Sequence, residues 1–210
     1  MAVKTNGIVL ASRYKYFIDT TGGTDLTDLT DAKFARLGSG FTGTTFSGNE
    51  TTINNTYLDD EGFGSTDVVG KRFSFAFTGV KMANDPAQAY VIGLQNKLGT
   101  DLETRFLVVD PEGNQMIGVA VISALVPNGG NANAGATLTF TVNIQGKLFH
   151  LTNPIPVTVD ADDDTISPKI DGVTLNTAVA PASPATGGST PTSSSSATSG
   201  SGSSSASSAG

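Results

Sequence analysis

A mainly β fold, a β-sandwich with one flanking α-helix, is the class this sequence predicts, and three stretches predict it. Ala136 to Gln145 alternates cleanly, with Leu138, Phe140, Val142 and Ile144 on one face and Thr137, Thr139, Thr141, Asn143 and Gln145 on the other. Lys71 to Thr78 alternates in the same way, Phe73, Phe75 and Phe77 opposing Ser74, Ala76 and Thr78. A period of two with apolar residues on one side marks a strand half buried against a core. One segment changes period: after Asp85-Pro86, residues Ala87, Tyr90, Val91, Leu94 and Leu98 recur at helical spacing as far as Gly99. Asn84 or Asp85 supplies a cap, Pro86 suits the first helical position and Gly99 the place just past the end. The apolar stripe of this helix, Tyr90, Val91, Leu94 and Leu98, is expected to pack on the sandwich.

The remaining elements follow in order. Met1 to Leu10 reads as a loosely held arm. Arg13 to Asp19 is rich in β-favouring aromatics and forms the first strand. Thr20 to Thr30 is turn chemistry, and Lys33 to Leu37 fits either a strand or one helical turn. Gly38 to Gly48 reads as a glycine-rich connection carrying Phe41 and Phe46. The whole polar run from Gly38 to Val68 is long for a compact domain, and loops of that length usually have a function or lack order. Within it, Glu50 to Leu58 can pair as a strand and leave a long hairpin arm. Phe41 and Phe46 either dock on a partner, most simply a neighbouring copy, or tuck back onto their own core.

Beyond the helix, Glu103 to Asp110 and Gln115 to Val126 form a hairpin across the strong turn Pro111-Glu112-Gly113-Asn114. Asn128 to Gly135 is another turn. After Gly146 the pattern weakens: Pro154 and Pro156 demote Leu148 to Val159 to an edge strand or extended arm. Asp171-Gly172 is a turn, and Val173 to Leu175 a last short strand. After Val179, residues 180–210 are Ser, Thr, Gly, Ala and Pro without a charge, and a segment so poor in apolar residues cannot offset its own ordering entropy. The expected organisation is therefore one β-rich domain over residues 1–178 and a disordered tail over 179–210.

Composition narrows function. The 210 residues carry a net charge of −7, against a general nucleic-acid binder, because phosphate affinity is carried by clustered Lys and Arg. Cysteine is absent, which excludes a disulfide framework and thiolate metal sites. The apolar run Gly7 to Ala11 is too short for a secretory core or a membrane span. The single histidine, His150, has no serine elbow or second histidine, and reads as a structural or surface residue. No phosphate-binding glycine motif follows a strand; Gly62 and Gly64 lack the helix that such a motif opens. Asp59, Asp60 and Glu61 could ligate a hard cation, but a solvated loop or a salt-bridge partner for a neighbour is the plainer reading. Asp160 to Asp171 imitates a calcium loop yet has Thr165 where the glycine belongs and Pro168 at the ninth position. No catalytic residue, metal site or cofactor is expected.

Several motifs fall in a consistent order: Asn55-Thr-Tyr57-Leu58-Asp59-Asp60-Glu61-Gly62, Ser65, Val69-Gly70-Lys71, the Phe73-Ser-Phe75 strand, Gly79, and Asp85-Pro86-Ala87-Gln88. In these the chain resembles the major tail tube proteins of lambda-like long-tailed bacteriophages, over about Lys4 to Gly146. The resemblance implies a β-sandwich whose copies form hexameric rings, the inner sheets joining into one barrel. The rings would stack along a tape measure protein, between tail tip or distal tail proteins and a terminator, into a tube through which DNA passes without specific binding. It implies a structural protein of the virion, assembled in the host cytoplasm, with no enzymatic activity and no membrane. Phe41, Phe46, Tyr57, Leu58, Asp59, Asp60 and Glu61 are then the candidates for an inter-subunit or inter-ring loop. The main alternative is a β-sandwich binding or adhesion module, disfavoured by the absence of Trp. A tail accessory protein bound to a pre-existing lattice is another.

Overall fold

The computed structural model describes residues 7–156, 165–166 and 175–176. The strands in chain order are β1 (Lys15–Asp19), β2 (Phe34–Arg36), β3 (Phe41–Ser47), β4 (Thr51–Thr56), β5 (Gly64–Gly70), β6 (Ser74–Val80), β7 (Glu103–Val109), β8 (Gln115–Val126), β9 (Thr137–Leu151), β10 (Thr165–Ile166) and β11 (Leu175–Asn176). One α-helix, α1 (Pro86–Gly93), lies between β6 and β7. The fold is mainly β. Nine strands form one sheet in the order β10-β2-β1-β7-β8-β9-β6-β3, with β11 also on β9, and β4 and β5 form a separate two-stranded hairpin.

That sheet is curled so that its two halves face each other as in a sandwich. β2 and β3 stand far apart in the strand order, yet only residues 37–40 separate them in the chain, so the sheet must bend back on itself. The ring of Tyr16 on β1 therefore lies 5.9 and 5.4 Å from those of Phe75 and Phe77 on β6. At the corner the backbones of Gly40 and Gly79 approach so closely that a side chain at either would collide with its surroundings, and Gly40 has φ +76°.

Two cores result. Phe75, Phe77, Phe106, Ile122, Leu138, Phe140, Val142 and Ile144 fill the inside of the curl, with Val91 and Leu94 of the helix segment among them and Phe41, Phe73 and Tyr90 partly buried at its margin. A smaller core on the other face of β1, β7 and β8 holds Phe17, Leu29, Phe34, Leu107, Ile117 and Ile155. A strand buried on both faces loses its alternation, which is why β7 reads Phe-Leu-Val-Val.

Five expectations need correction. Gly38 to Gly48 is not a connection: its second half is edge strand β3, in which a register shift between Phe41 and Gly43 absorbs the glycine. The strand expected at Lys71 starts at Ser74. The helix ends at Gly93 rather than reaching Gly99, and the chain continues through a turn. Leu98, expected in the core, is 84% exposed for that reason. β9 runs fifteen residues, through Gly146 to Leu151. Beyond it Ile155, between the two prolines, is buried and exchanges two hydrogen bonds with the Gln115 side chain (2.7 and 2.8 Å), a side-chain substitute for a strand partner. The acidic run 160–164, Asp171-Gly172 and the tail from 179 lie outside the described residues.

Helix α1 is held at both ends of its first turn. The Asp85 side chain accepts from the Gln88 N–H at 2.8 Å, an N-cap worth about 1 kcal/mol. Buried Gln88 accepts from the Met82 N–H at 2.7 Å and donates to the carbonyls of Ser39 at 2.8 Å and Val80 at 3.3 Å. This ties the helix to the β2–β3 link and to the end of β6.

Candidate assembly surface

Three features of the fold have no partner among the described residues of the chain itself: a hairpin, a polar sheet face and two strand edges.

The hairpin is β4 paired with β5 from Thr51↔Gly70 to Thr56↔Gly64. Its base is fastened. The Arg72 N–H donates to the Gly48 carbonyl at 2.9 Å, and the Asn49 amide donates to the Arg72 carbonyl at 2.8 Å and to Ser74 Oγ at 2.9 Å. Lys71 pairs with Glu50 at 2.7 Å, an exposed ion pair of small energetic weight. Away from the base nearly every residue of both strands is exposed. Leu58 and Asp59 enter a 3-10 turn with Asp60, Glu61 takes a left-handed conformation (φ 51°) and Gly62 another (φ 90°), which reverses the chain. The tip presents Tyr57, Leu58 and Phe63 to solvent, 56%, 106% and 78% exposed. Ile53, Val68 and Val69 are exposed along its length.

The seven site residues expected from sequence thus separate into two groups. Tyr57, Leu58, Asp59, Asp60 and Glu61 share the hairpin tip. Phe41 does not belong with them: it packs on its own core, edge-on to Phe77 and Phe140 at 5.6 Å each, as the second of its two readings had it. Phe46 is intermediate, 5.0 Å from Phe75 and stacked on Phe73 at 5.6 Å while remaining 55% exposed. Phe63 was missed as a tip residue. Its signal was Glu61-Gly62-Phe63-Gly64 between two β-capable runs, a turn with an apolar residue in it.

The polar face is the outer side of the four strands β3, β6, β9 and β8. Register brings Thr45 and Ser47 beside Ala76 and Ser74, those beside Thr141 and Asn143, and these beside Ser123 and Val121. Asn143 donates to Ser123 Oγ at 2.6 Å across this face. No charged residue is among them. Among the described residues the acids fall elsewhere, on loops, on the hairpin and, as Asp19 and Glu103, on β1 and β7.

Among the described residues both ends of this four-stranded part are open. β3 pairs with β6 alone, and β7 stops opposite Val121, so Ile122 to Val126 of β8 pairs on one side only. Open edges offer unpaired backbone groups to another strand.

Ionisable groups with displaced pKa values lie away from these surfaces or at their margins. Burial, and then the neighbouring Tyr14, raises the Tyr16 phenol; burial raises that of Tyr90. Both stay neutral near pH 7. The carboxyls of Asp25 and Asp28 are held below the usual range by the hydroxyls and N–H groups of Thr27 and Thr30. His150 is exposed on β9. Among the described residues, no group of three His, Asp or Glu side chains converges as a metal would require, and no helix is long and apolar enough to cross a membrane.

No protein-family model and no curated protein matches the chain. Solved structures do. A chain in the tail of an empty gene transfer agent particle, computed with helical refinement and C6 symmetry, aligns at TM-score 0.51 and 20% identity, covering 67% of this chain and 97% of that one. A chain in the virion of the native gene transfer agent particle aligns at TM-score 0.50 and 18% identity over 67% and 97% of the two chains. At such identities the likeness is one of fold.

Proposed function

We propose that this chain is a non-enzymatic structural subunit of a phage-type tail, which associates with copies of itself into hexameric rings that stack into a tube for DNA. The hairpin carries this reading. A two-stranded ribbon is marginal by itself in water, and this one holds three large apolar side chains at its tip that the described residues leave 56–106% exposed. Apolar groups so displayed mark an interaction site. The fold likeness to a chain in a C6-symmetric tail supports the reading.

The other two surfaces fit it. Pairing of the β3 edge of one copy with the open β8 edge of the next would close a ring and leave no free edge on this part of the sheet. The strand residues so enclosed would be Thr, Ser, Asn, Ala and Val, with Lys71 (paired with Glu50) and Arg72 at the margin beside Ser74. A conduit for DNA must not hold phosphate, and strand residues without a cation among them do not. Neutrality of these strand residues would keep DNA from adhering. A tape measure protein inside the tube, tip or distal tail proteins at one end and a terminator at the other are the partners this role entails, and the virion is its location.

Negative-stain electron microscopy of the purified, concentrated chain tests the proposal. Hollow rings or tubes with sixfold projections are the expected result. Particles of monomer size at all concentrations, also when tip and tape measure proteins are added, would overturn it; binding of such monomers to preformed tails would favour an accessory protein.

A further inference from the structure

The mouth of the curled sheet is not closed over its core. An open groove of about 580 Å³ lies where β3 and β6 face β1, β7, β8 and the second half of β9, lined chiefly by Val9, Tyr14, Phe46, Phe73, Met116 and Leu148. Its lip is apolar and exposed: Val9 is 50% and Phe46 55% accessible, and Ile8 and Leu10 beside Val9 are 92% and 59%. Among the described residues no carboxylate lines it.

We infer that this groove is the receptor for the hairpin tip, Tyr57 to Phe63, of a second copy of the chain. The inference rests on the self-assembly reading and names the contact that would carry it. Three observations select this occupant. First, the tip displays three large apolar side chains with no buried place in their own fold, and the groove is an apolar surface of which the same is true. Second, a copy's own tip is held away from its own groove. β4 and β5 spring from the end of β3 beside Phe46 and Phe73, and seven strand residues carry the tip roughly 20 Å from that point. The latch of Asn49, Gly48 and Arg72 fixes the direction of departure. Third, the tip is acidic, with Asp59 and Glu61 exposed beside Leu58. Among the described residues the groove has no acid to oppose it, and exposed Arg13 directly precedes its lining residue Tyr14 in the chain.

Tip and groove are different surfaces, so each copy can give one contact and receive another. Such a heterologous contact closes into a ring or continues as a filament, whereas a self-complementary one would stop at a dimer. The groove would therefore set the direction of growth.

The absence of cysteine permits a direct test. Three single variants of the full chain are made: Leu58→Cys at the tip, Thr44→Cys in the groove wall, and Glu112→Cys as an exposed control in the β7–β8 turn. Mixed pairs are exposed briefly to a mild oxidant, while rings and tubes are followed in parallel by electron microscopy. Docking raises the effective concentration of the paired thiols, so Leu58→Cys should link to Thr44→Cys at least about tenfold faster than to Glu112→Cys. That preference supports the groove whether or not tubes are seen. Assembly without the preference overturns the groove and leaves self-association standing. Neither assembly nor preference, also when tip and tape measure proteins are added, overturns both.

Discussion

Two polar segments of this chain look alike in sequence and end in opposite situations. Residues 20–33 (TTGGTDLTDLTDAK) and 49–70 (NETTINNTYLDDEGFGSTDVVG) are both rich in Thr, Asp and Gly. The first is sewn into the body. Asp19, fully buried, accepts from the backbone N–H groups of Thr21 and Lys33 and from the Thr21 hydroxyl, and pairs with Arg105 at 2.8 Å. The Arg105 guanidinium also donates to the carbonyls of Asp25 at 2.6 Å and Asp28 at 3.2 Å, and Leu29 and Ala32 enter the smaller core. The second segment is tied only at its base and sends its apolar residues outward. Polarity therefore does not distinguish a fastened loop from an arm. The distinction lies in a charge held inside the body, Arg105, whose donors the loop's carbonyls satisfy, and in a leucine spaced to reach a core.

The largest expected effect comes from breaking the fastening. Arg105→Leu leaves the Asp19 carboxylate buried without its cation and should cost about 3–5 kcal/mol of stability, read as a shift of the urea midpoint, with new proteolysis within 20–33 and none within the hairpin. Gly23→Ala comes next. A methyl there runs into the Arg105 guanidinium, and crowding of a packed site should cost about 1–3 kcal/mol. On the hairpin, Asn49→Ala removes both amide hydrogen bonds of the latch and should cost about 1 kcal/mol, while lowering the extent of assembly more than the thermal midpoint would explain.

Acid separates the two segments as well. Folding holds the Asp25 and Asp28 carboxyls below their ordinary value, so they contribute stability that is present above the unfolded carboxylate pKa of about 4 and is lost as pH falls through the lower folded values. Amide exchange in 20–33 should accelerate in that acid window and stay constant between pH 5 and pH 7 after correction for intrinsic rates.

Much of the body was legible in the sequence. β6 and β9 announce themselves by period two, the β7–β8 hairpin by its Pro111 to Asn114 turn, and the Pro86 end of the helix by its cap. Its far end was misread because Leu94 and Leu98 continue a helical spacing that the backbone does not follow past Gly93. β3 was hidden by glycine, since a strand that turns a corner at Gly40 and bulges at Gly43 carries the same residues as a loop. The tip was half legible: the acidic Tyr57 to Glu61 cluster stood out, whereas Phe63 depends on the partner strand β5, whose polar, exposed faces give no amphipathic pattern. The groove could not be read at all, because it joins Val9, Phe46, Met116 and Leu148 from four distant parts of the chain.

The most direct test of the account replaces the arm and leaves the body. Gly48 and Arg72 are already hydrogen-bonded neighbours, so residues 50–70 can be exchanged for a short Asn-Gly turn without disturbing β3 or β6. The exchanged strands are exposed and contribute to neither core, so the thermal midpoint should hold. In sedimentation velocity, under conditions where the full chain forms large assemblies, the shortened chain should remain a folded monomer. Assembly of the shortened chain to the same size and extent as the full one would contradict the account.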